Sequence, residues 1–584
     1  MGASLGVSLG SVGLRVDLDA DGRLRYAVTY GQRPVVQPSR LGLRLAEGPG
    51  SDGGPGFDGP LRLLGHDTAT VDSTWQPVWG EEASIRTHYR QLTLHLCPLA
   101  APARRLDLVF RVFADGVGFR YELPAQPALR FLVVAAELTE FALPVDPTAF
   151  WLPGDEDSNE YPYAITPLSQ VDNAALVRAS TDIAVRAAPD PQAVQTPLLL
   201  HYPTGPYVAL HEAAQVNYPA LQLHVDGPAH RLTARLVPDA GGAAAYLRTP
   251  ARTPWRTVLI GARAADLLTS RLILNLNEPS TIADPSWIHP MKFVGVWWEM
   301  QTGRGTWSYA NRADTLDAQG RLLPHGRHSA TTANVQRYID FAAQHHIPGV
   351  LVEGWNTGWE DWFGHWQEDV FDFVTPYPDF DVAGLQRYAQ ARGVQLIMHH
   401  ETAGAATGYE QRLDSAYRFM TRFGYPAVKT GYVGRIVPRG EHHDGQWMSN
   451  HYVRVAQAAA RHRLLVDMHE PTRPSGLQRT YPNWLASEAG RGNEYNAFTA
   501  AGNAPNPTIH LHPCALSEKH QPTTYATTCP PVINRLLTTT MRPRNGLGAS
   551  SEIYSGTTND ALPTAAPTTD RPKIMPPTLV VHDW

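Results

Sequence analysis

The chain has 584 residues, more than one hydrophobic core normally serves, so two or three domains are expected. A formal net charge of −6 without blocks of like charge gives no reason to expect a nucleic-acid partner, and no apolar run reaches the ~18–20 residues of a membrane helix. Three cysteines, Cys97, Cys514 and Cys529, are too few and too irregularly spaced for a disulfide scaffold or a zinc site.

The first 22 residues, MGASLGVSLGSVGLRVDLDADG, have no basic start and no apolar h-region, so a signal peptide is not expected. Residues 1–262 read as β structure. LRVDLDADGRLRYAVTY alternates apolar and polar residues on both sides of Asp21-Gly22, and LDLVFRVFADGVGFRYEL does the same around Asp115-Gly116. Both are hairpin signatures, and strands broken by Gly/Pro-rich turns over this length predict a large antiparallel sandwich. DEDSNE, from Asp155 to Glu160, resembles the start of a calcium loop but lacks the Gly and terminal Glu that such a loop needs.

Residues 263–289 read as a linker, and the pattern then changes. KFVGVWWEM, GVLVEGW, GVQLIMHHE, AVKTGYVG and LLVDMHE are strand-like, and amphipathic helical segments lie between them. This alternation over residues 290–502 predicts parallel strands with helical crossovers in a (β/α)8 TIM-type barrel, although only about six units can be counted. Residues 503–584 are rich in Thr and Pro, show no convincing βα unit and read as an atypical tail, disordered or frame-shifted.

Acids fall at the predicted strand ends: Glu299 after Trp297-Trp298, Glu353, Glu401 after His399-His400, then Asp467 and Glu470 around His469. Glu488 and Glu494 follow. The fourth strand carries Lys429 and Tyr432 but no acid. Strand ends of a barrel converge on one face, and so many acids there need protons or a cation to offset their repulsion. Paired carboxylates are the equipment of glycoside cleavage, and an oxygen-rich cluster suits calcium. His399, His400 and His469 read as partners of sugar hydroxyls or of the acids, with metal ligation as the alternative. Glu441-His442-His443 reads as a substrate-side or structural loop.

KFVGVWWEM, GVLVEGWN, IMHHETAG, AVKTGYVG, PRGEHHDGQWMSNHY, HEPTRPSGLQRTYPN and SEAGRGNEYNAF together resemble the barrel motifs of glycoside hydrolase family 97, over roughly residues 10–500. The likeness is greatest to its inverting, calcium-dependent α-glucosidase branch. The resemblance implies an N-terminal β-super-sandwich, a catalytic barrel and export to the periplasm. It implies Glu494 as general acid and Glu401 with Glu470 as the pair that holds and deprotonates water. It implies Ca2+ held by Glu470, Glu488, Glu494 and an N-terminal acid, Glu160 or, failing that, Glu156. Glu353, His399, His469, Trp298 and Lys429 are then expected to bind an oligosaccharide substrate. The retaining branch takes its nucleophile from an Asp on the fourth strand, which is missing here, so direct displacement by water is expected. The rival expectations are a retaining α-galactosidase and an inert carbohydrate-binding protein.

Overall fold

The computed structural model describes residues 3–498, apart from 49, 50, 81, 183 and 493, together with 581–582. Both expected hairpins form. Val12–Leu18 pairs with Leu24–Tyr30, with Leu18 opposite Leu24, and Leu106–Phe113 pairs with Gly116–Leu123. Among the described residues these strands belong to an eight-stranded and a ten-stranded antiparallel sheet. The sheets share a core in which Val12, Leu14, Val16 and Tyr26 of the first meet Leu94, Leu108, Phe110 and Phe119 of the second. Tyr26 and Phe119 lie 4.9 Å apart, ring centre to ring centre. Period-two burial produces this sandwich: Leu24, Tyr26 and Val28 point inward, and their neighbours do not.

Residues 263–289 are more than a tether. Ala264–Leu268 and Leu272–Leu276 are short helices whose Leu267, Leu272, Ile273 and Leu276 pack on Trp255, Leu259 and Ala209 of the ten-stranded sheet.

Among the described residues, the second half of the chain contains six parallel strands: β1 (Phe293–Gly295), β2 (Gly349–Val352), β3 (Gln395–Glu401), β4 (Ala427–Gly431), β5 (Leu465–His469) and β6 (Trp484–Glu488). Neighbours in sequence are neighbours in the sheet, and every pairing from β1 to β6 is parallel. Four helices, α1 (Thr332–Gln344), α2 (Val382–Gln390), α3 (Ala406–Phe423) and α4 (Gln446–Arg461), make the crossovers from β1 to β5. Their ends follow local chemistry. Thr331 and Asp381 accept bonds from the amides of Asn334 and Gly384, and α3 stops at Gly424 with φ +75°. The strands open on apolar residues, such as Leu396-Ile397-Met398 of β3 and Ala427-Val428 of β4, because both faces are covered there. Between β5 and β6 the connection is a loop with one 3-10 turn, Leu477–Arg479.

The six strands form an incomplete barrel. Val581–His582, inside the expected tail, pair antiparallel with Phe293–Val294 at its edge. The rest of the tail reading lies outside the described residues. At the N-terminal ends of the strands, Phe293, Leu351, Ile397, Ala427, Leu465 and Leu485 form one apolar cluster. Val78 and Trp79, from the turn between the long strands Leu61–Trp75 and Ile85–Pro98, pack into that cluster, and Trp79 Nε1 donates to the Pro482 carbonyl at 2.7 Å. The sandwich therefore closes the base of the barrel.

One expected strand is corrected. KFVGVWWEM is extended only over Phe293–Gly295, and Trp297–Gln301 forms a turn of helix. The chain turns because Glu299 is captured by α1: its carboxylate accepts from Asn334 Nδ2 at 2.9 Å and from the Tyr338 hydroxyl at 3.0 Å.

Candidate active site

The C-terminal ends of β2 to β6 deliver their polar residues to one buried face. β3 reaches it with Glu401, which is 4% exposed. Glu401 Oε1 accepts from the amides of Thr402 (3.0 Å), Ala403 (2.8 Å) and Val433 (3.2 Å). Burial nevertheless dominates and pushes this carboxyl up to about 7.

Glu470, just after β5, has φ +52°, a left-handed conformation that is rare for a residue with a side chain. It is held from three sides. Its amide donates to the Glu488 carbonyl (3.1 Å), its carbonyl accepts from the Tyr452 hydroxyl (3.1 Å), and its Oε2 accepts from the Tyr432 amide (2.8 Å). Burial, then the nearby Glu401 and Glu488, raise this carboxyl to about 7.

Glu160 crosses from the sandwich into the same region. One ligand atom each from Glu160, Glu488 and Glu494 lie within 4.8 Å of one another, and a second such group joins His469, Glu470 and Glu488. Burial and the charge of Glu488 raise Glu160 to about 8, and the same two causes hold Glu494 well above the ordinary carboxyl value. Glu488 is the exception: burial works against its charge, but His469, whose Nδ1 lies 2.5 Å from Glu488 Oε2, lowers it. Three carboxylates with few counter-charges make an all-oxygen donor set, the kind a hard cation takes.

At the side of this cluster, Lys429 of β4 meets Glu353 after β2, with Nζ–Oε1 2.6 Å, and Trp307 Nε1 donates to Glu353 Oε2 at 3.1 Å. Burial would raise Glu353, yet the Lys429 ammonium outweighs it and brings the carboxyl down to about 2. His399, buried and lowered to about 3, lies beneath the Trp359 ring at 5.7 Å. His400 points to the other face of β3, toward the Tyr409 hydroxyl (3.0 Å), and so leaves the site.

Of the residues singled out in the sequence, Glu160, Glu401, Glu470, Glu488, Glu494, Glu353, Lys429, His399 and His469 are thus in one neighbourhood. Trp298 sits on the short helix after β1 with its ring edge-on to Trp297 at 4.7 Å, and Gln301 of that helix reaches the Glu494 carbonyl. Glu156 is not the N-terminal member of the cluster: Arg235 and His442 engage its carboxylate instead. Sequence reasoning passed over Trp307, Trp359 and Tyr495, whose hydroxyl donates to Glu160 Oε2 at 2.7 Å. Only Tyr495 had a signal, its place next to Glu494.

Residues 10–279 match the family described as Glycosyl-hydrolase 97 N-terminal, and residues 297–490 match Glycoside hydrolase 97. Among curated proteins, the chain is 25% identical to a retaining alpha-galactosidase of Bacteroides thetaiotaomicron and 28% identical to a probable retaining alpha-galactosidase of Streptomyces bingchenggensis, each over 499 residues. These alignments cover 82% and 83% of this chain but 66% and 65% of the relatives, so the chain spans just under two thirds of their length. A glycoside hydrolase family 97 enzyme from Pseudoalteromonas sp. strain K8, solved in complex with acarbose, superposes with a TM-score of 0.75 at 34% identity, covering 86% of this chain and 72% of that one. A variant of that enzyme in complex with panose gives the same figures. A beta-arabinopyranosidase shares the fold at TM-score 0.64 and 20% identity, with 85% and 71% of the two chains covered. With family matches over both halves and a 34% identical structure covered over 72% of its length, the chain belongs to glycoside hydrolase family 97.

Proposed function

We propose that the protein releases glucose from the non-reducing end of α-glucosides by single displacement, with inversion at the anomeric carbon. The observation that carries this reading is at Gly431, the last residue of β4. A side chain added there would run into Glu401 Oε2, and His399 Nε2 lies 3.4 Å from the Cβ position. The base thus fills the space from which a β4 nucleophile would act, and Ala427–Gly431 contains no carboxylate. Without an enzyme nucleophile, water must attack directly.

Glu494 protonates the leaving oxygen; a carboxyl held well above its ordinary value keeps its proton near neutral pH. Glu401 and Glu470, both near 7, are poised to take a proton from water on the opposite side of the ring. Glu353, Lys429, His399 and His469 offer donors and acceptors to sugar hydroxyls, with Trp359 as an apolar wall. Glu160, Glu488 and Glu494, with Glu470 beside Glu488, would hold Ca2+. Bound there, the cation supplies positive charge that offsets the mutual repulsion of these acids. The acarbose and panose complexes of the Pseudoalteromonas enzyme support an oligosaccharide of glucose as substrate.

The names of the curated relatives favour a second reading, a retaining α-galactosidase. Proton NMR of the first product separates the two. Maltose and nitrophenyl α-glucoside are expected to yield β-glucose first. α-Glucose as the initial anomer, or cleavage confined to α-galactosides, would establish the second reading.

A further inference from the structure

We propose that Asp157 and His443 are positioning residues that fix the carboxylate of Glu470 across the junction between sandwich and barrel. This rests on the reading of Glu470 as a water-activating group. The chain of contacts begins in the loop Asp155–Glu160 of the sandwich. Asp155 anchors that loop by accepting from the Tyr161 hydroxyl (2.6 Å), Arg186 (2.7 Å) and the amides of Asp157 and Ser158. Asn159 pins it to the barrel through the Pro471 carbonyl at 3.2 Å.

Asp157 then takes hold of the loop after β4. Its Oδ1 accepts from the His443 amide and from His443 Nδ1, both at 3.1 Å, and its Oδ2 faces His442 Nδ1 at 2.9 Å. The other ring nitrogen of His443, Nε2, lies 2.9 Å from the Tyr432 carbonyl oxygen. A carboxylate on one side and a carbonyl on the other are both acceptors, so both nitrogens must donate and the ring is an imidazolium. His443 is 5% exposed, and Asp157 is its counter-charge. Burial alone would discharge such a ring, but Asp157 outweighs it.

The residue clamped in this way, Tyr432, is the one whose amide holds Glu470. Tyr432 is held at its carbonyl by His443 and at its hydroxyl by His451 Nε2 (2.9 Å), which Glu410 orients at 2.7 Å. Its amide is left to hold Glu470 Oε2. The Tyr452 hydroxyl bridges the carbonyls of His443 (3.4 Å) and Glu470 (3.1 Å), which ties the two loops a second time. A residue at φ +52° is at odds with its preferred backbone, and it stays there only while its surroundings over-determine it. Asp157 is three residues from Glu160, so one loop of the sandwich supplies both an acid of the cluster and the brace of the base.

The test is Asp157→Asn, which keeps the shape and removes the counter-charge. The ring then discharges, and one of its nitrogens turns a lone pair on an acceptor. Because attack by water is part of the same single displacement whatever the leaving group, kcat should fall about tenfold, the size of one charge-assisted hydrogen bond, on maltose and nitrophenyl α-glucoside alike. KM should stay within about twofold, since no sugar contact is lost. A crystal structure of the variant should show Glu470 Oε2 more than about 3.5 Å from the Tyr432 amide. An unchanged kcat, a change confined to KM, or Glu470 still seated on Tyr432 would overturn the proposal. If Asp157→Asn fails to fold, His443→Gln asks the same question from the other end of the contact. Should the native protein cleave neither substrate, the functional reading fails, and the crystallographic comparison still decides whether the brace exists.

Discussion

Two buried groups of charged residues in this molecule have opposite logic. In the sandwich, Arg256 is fully buried between Glu137 and Glu212, with bonds of 2.7 Å to each, and Glu137 also receives the hydroxyls of Thr139 and Tyr218. Each group there faces an opposite charge or a donor, which is what burial of charge requires. In the barrel, Glu160, Glu488 and Glu494 converge, and His469 and Lys429 are the cations that act on them, while Glu160, Glu401 and Glu470 are raised to about 7 or 8. The first arrangement is complete in itself, and the second is complete only with protons, a cation or a substrate. Burial of acids by itself therefore indicates nothing; what they face separates a brace from a site.

Four interventions break or sharpen this contrast. The largest effect is expected from Glu494→Gln, which removes the proposed acid. Turnover of maltose should fall by about 10²–10⁴-fold, while glucosyl fluoride, which leaves without protonation, is spared much more. Equal losses on both substrates would move the acid elsewhere. Arg256→Met should leave Glu137 and Glu212 buried without their partner and cost about 3–5 kcal/mol in chemical denaturation. A loss below about 1 kcal/mol would show that these acids tolerate burial unpaired.

The third intervention is pH. Glu160, Glu401 and Glu470 have folded-state values raised above those of the unfolded chain. Stability from such groups is full below the unfolded value near 4.5 and is lost as pH rises through the folded values of about 7 to 8. In chelator, the melting temperature should therefore drop between about pH 5 and pH 8, and added calcium should restore more of it at pH 8 than at pH 5. A calcium effect independent of pH would detach the cation from these carboxyls. The smallest effect belongs to Glu299→Gln. Because Glu299 is spent on Asn334 and Tyr338, kcat/KM should stay within about twofold.

The sequence reveals what is local. Asp21-Gly22 and Asp115-Gly116 announce their hairpins because Asp and Gly suit a local chain reversal, here the loop between Leu18 and Leu24 and the turn between Phe113 and Gly116. β2 to β5 announce themselves by short apolar openings between amphipathic helices, and parallel order brings Glu353, Glu401 and Glu470 together without further information. Trp297-Trp298-Glu299 misleads because the partner that curls it, α1, lies more than thirty residues on. Glu160 was reached by likeness of motif, and no spacing rule could have placed it beside Glu494. His443 stayed ambiguous for the same reason: its meaning depends on Asp157, 286 residues away.

Trp79 makes its hydrogen bond to a residue 403 positions later in the chain. A ribosome producing this protein releases the arm bearing Val78 and Trp79 long before Phe293, Ile397, Leu465 or Leu485 exist to receive it. The arm must wait as exposed apolar surface, and the barrel floor must form without its stopper until the two meet. Contacts of such separation slow the final step and leave a window in which the unpaired tip can find other chains. Production at low temperature or with chaperones in excess is thus a matter of the roughly 20–80 seconds between synthesis of Trp79 and synthesis of Pro482, at about 5–20 residues per second, far longer than a hairpin needs to form.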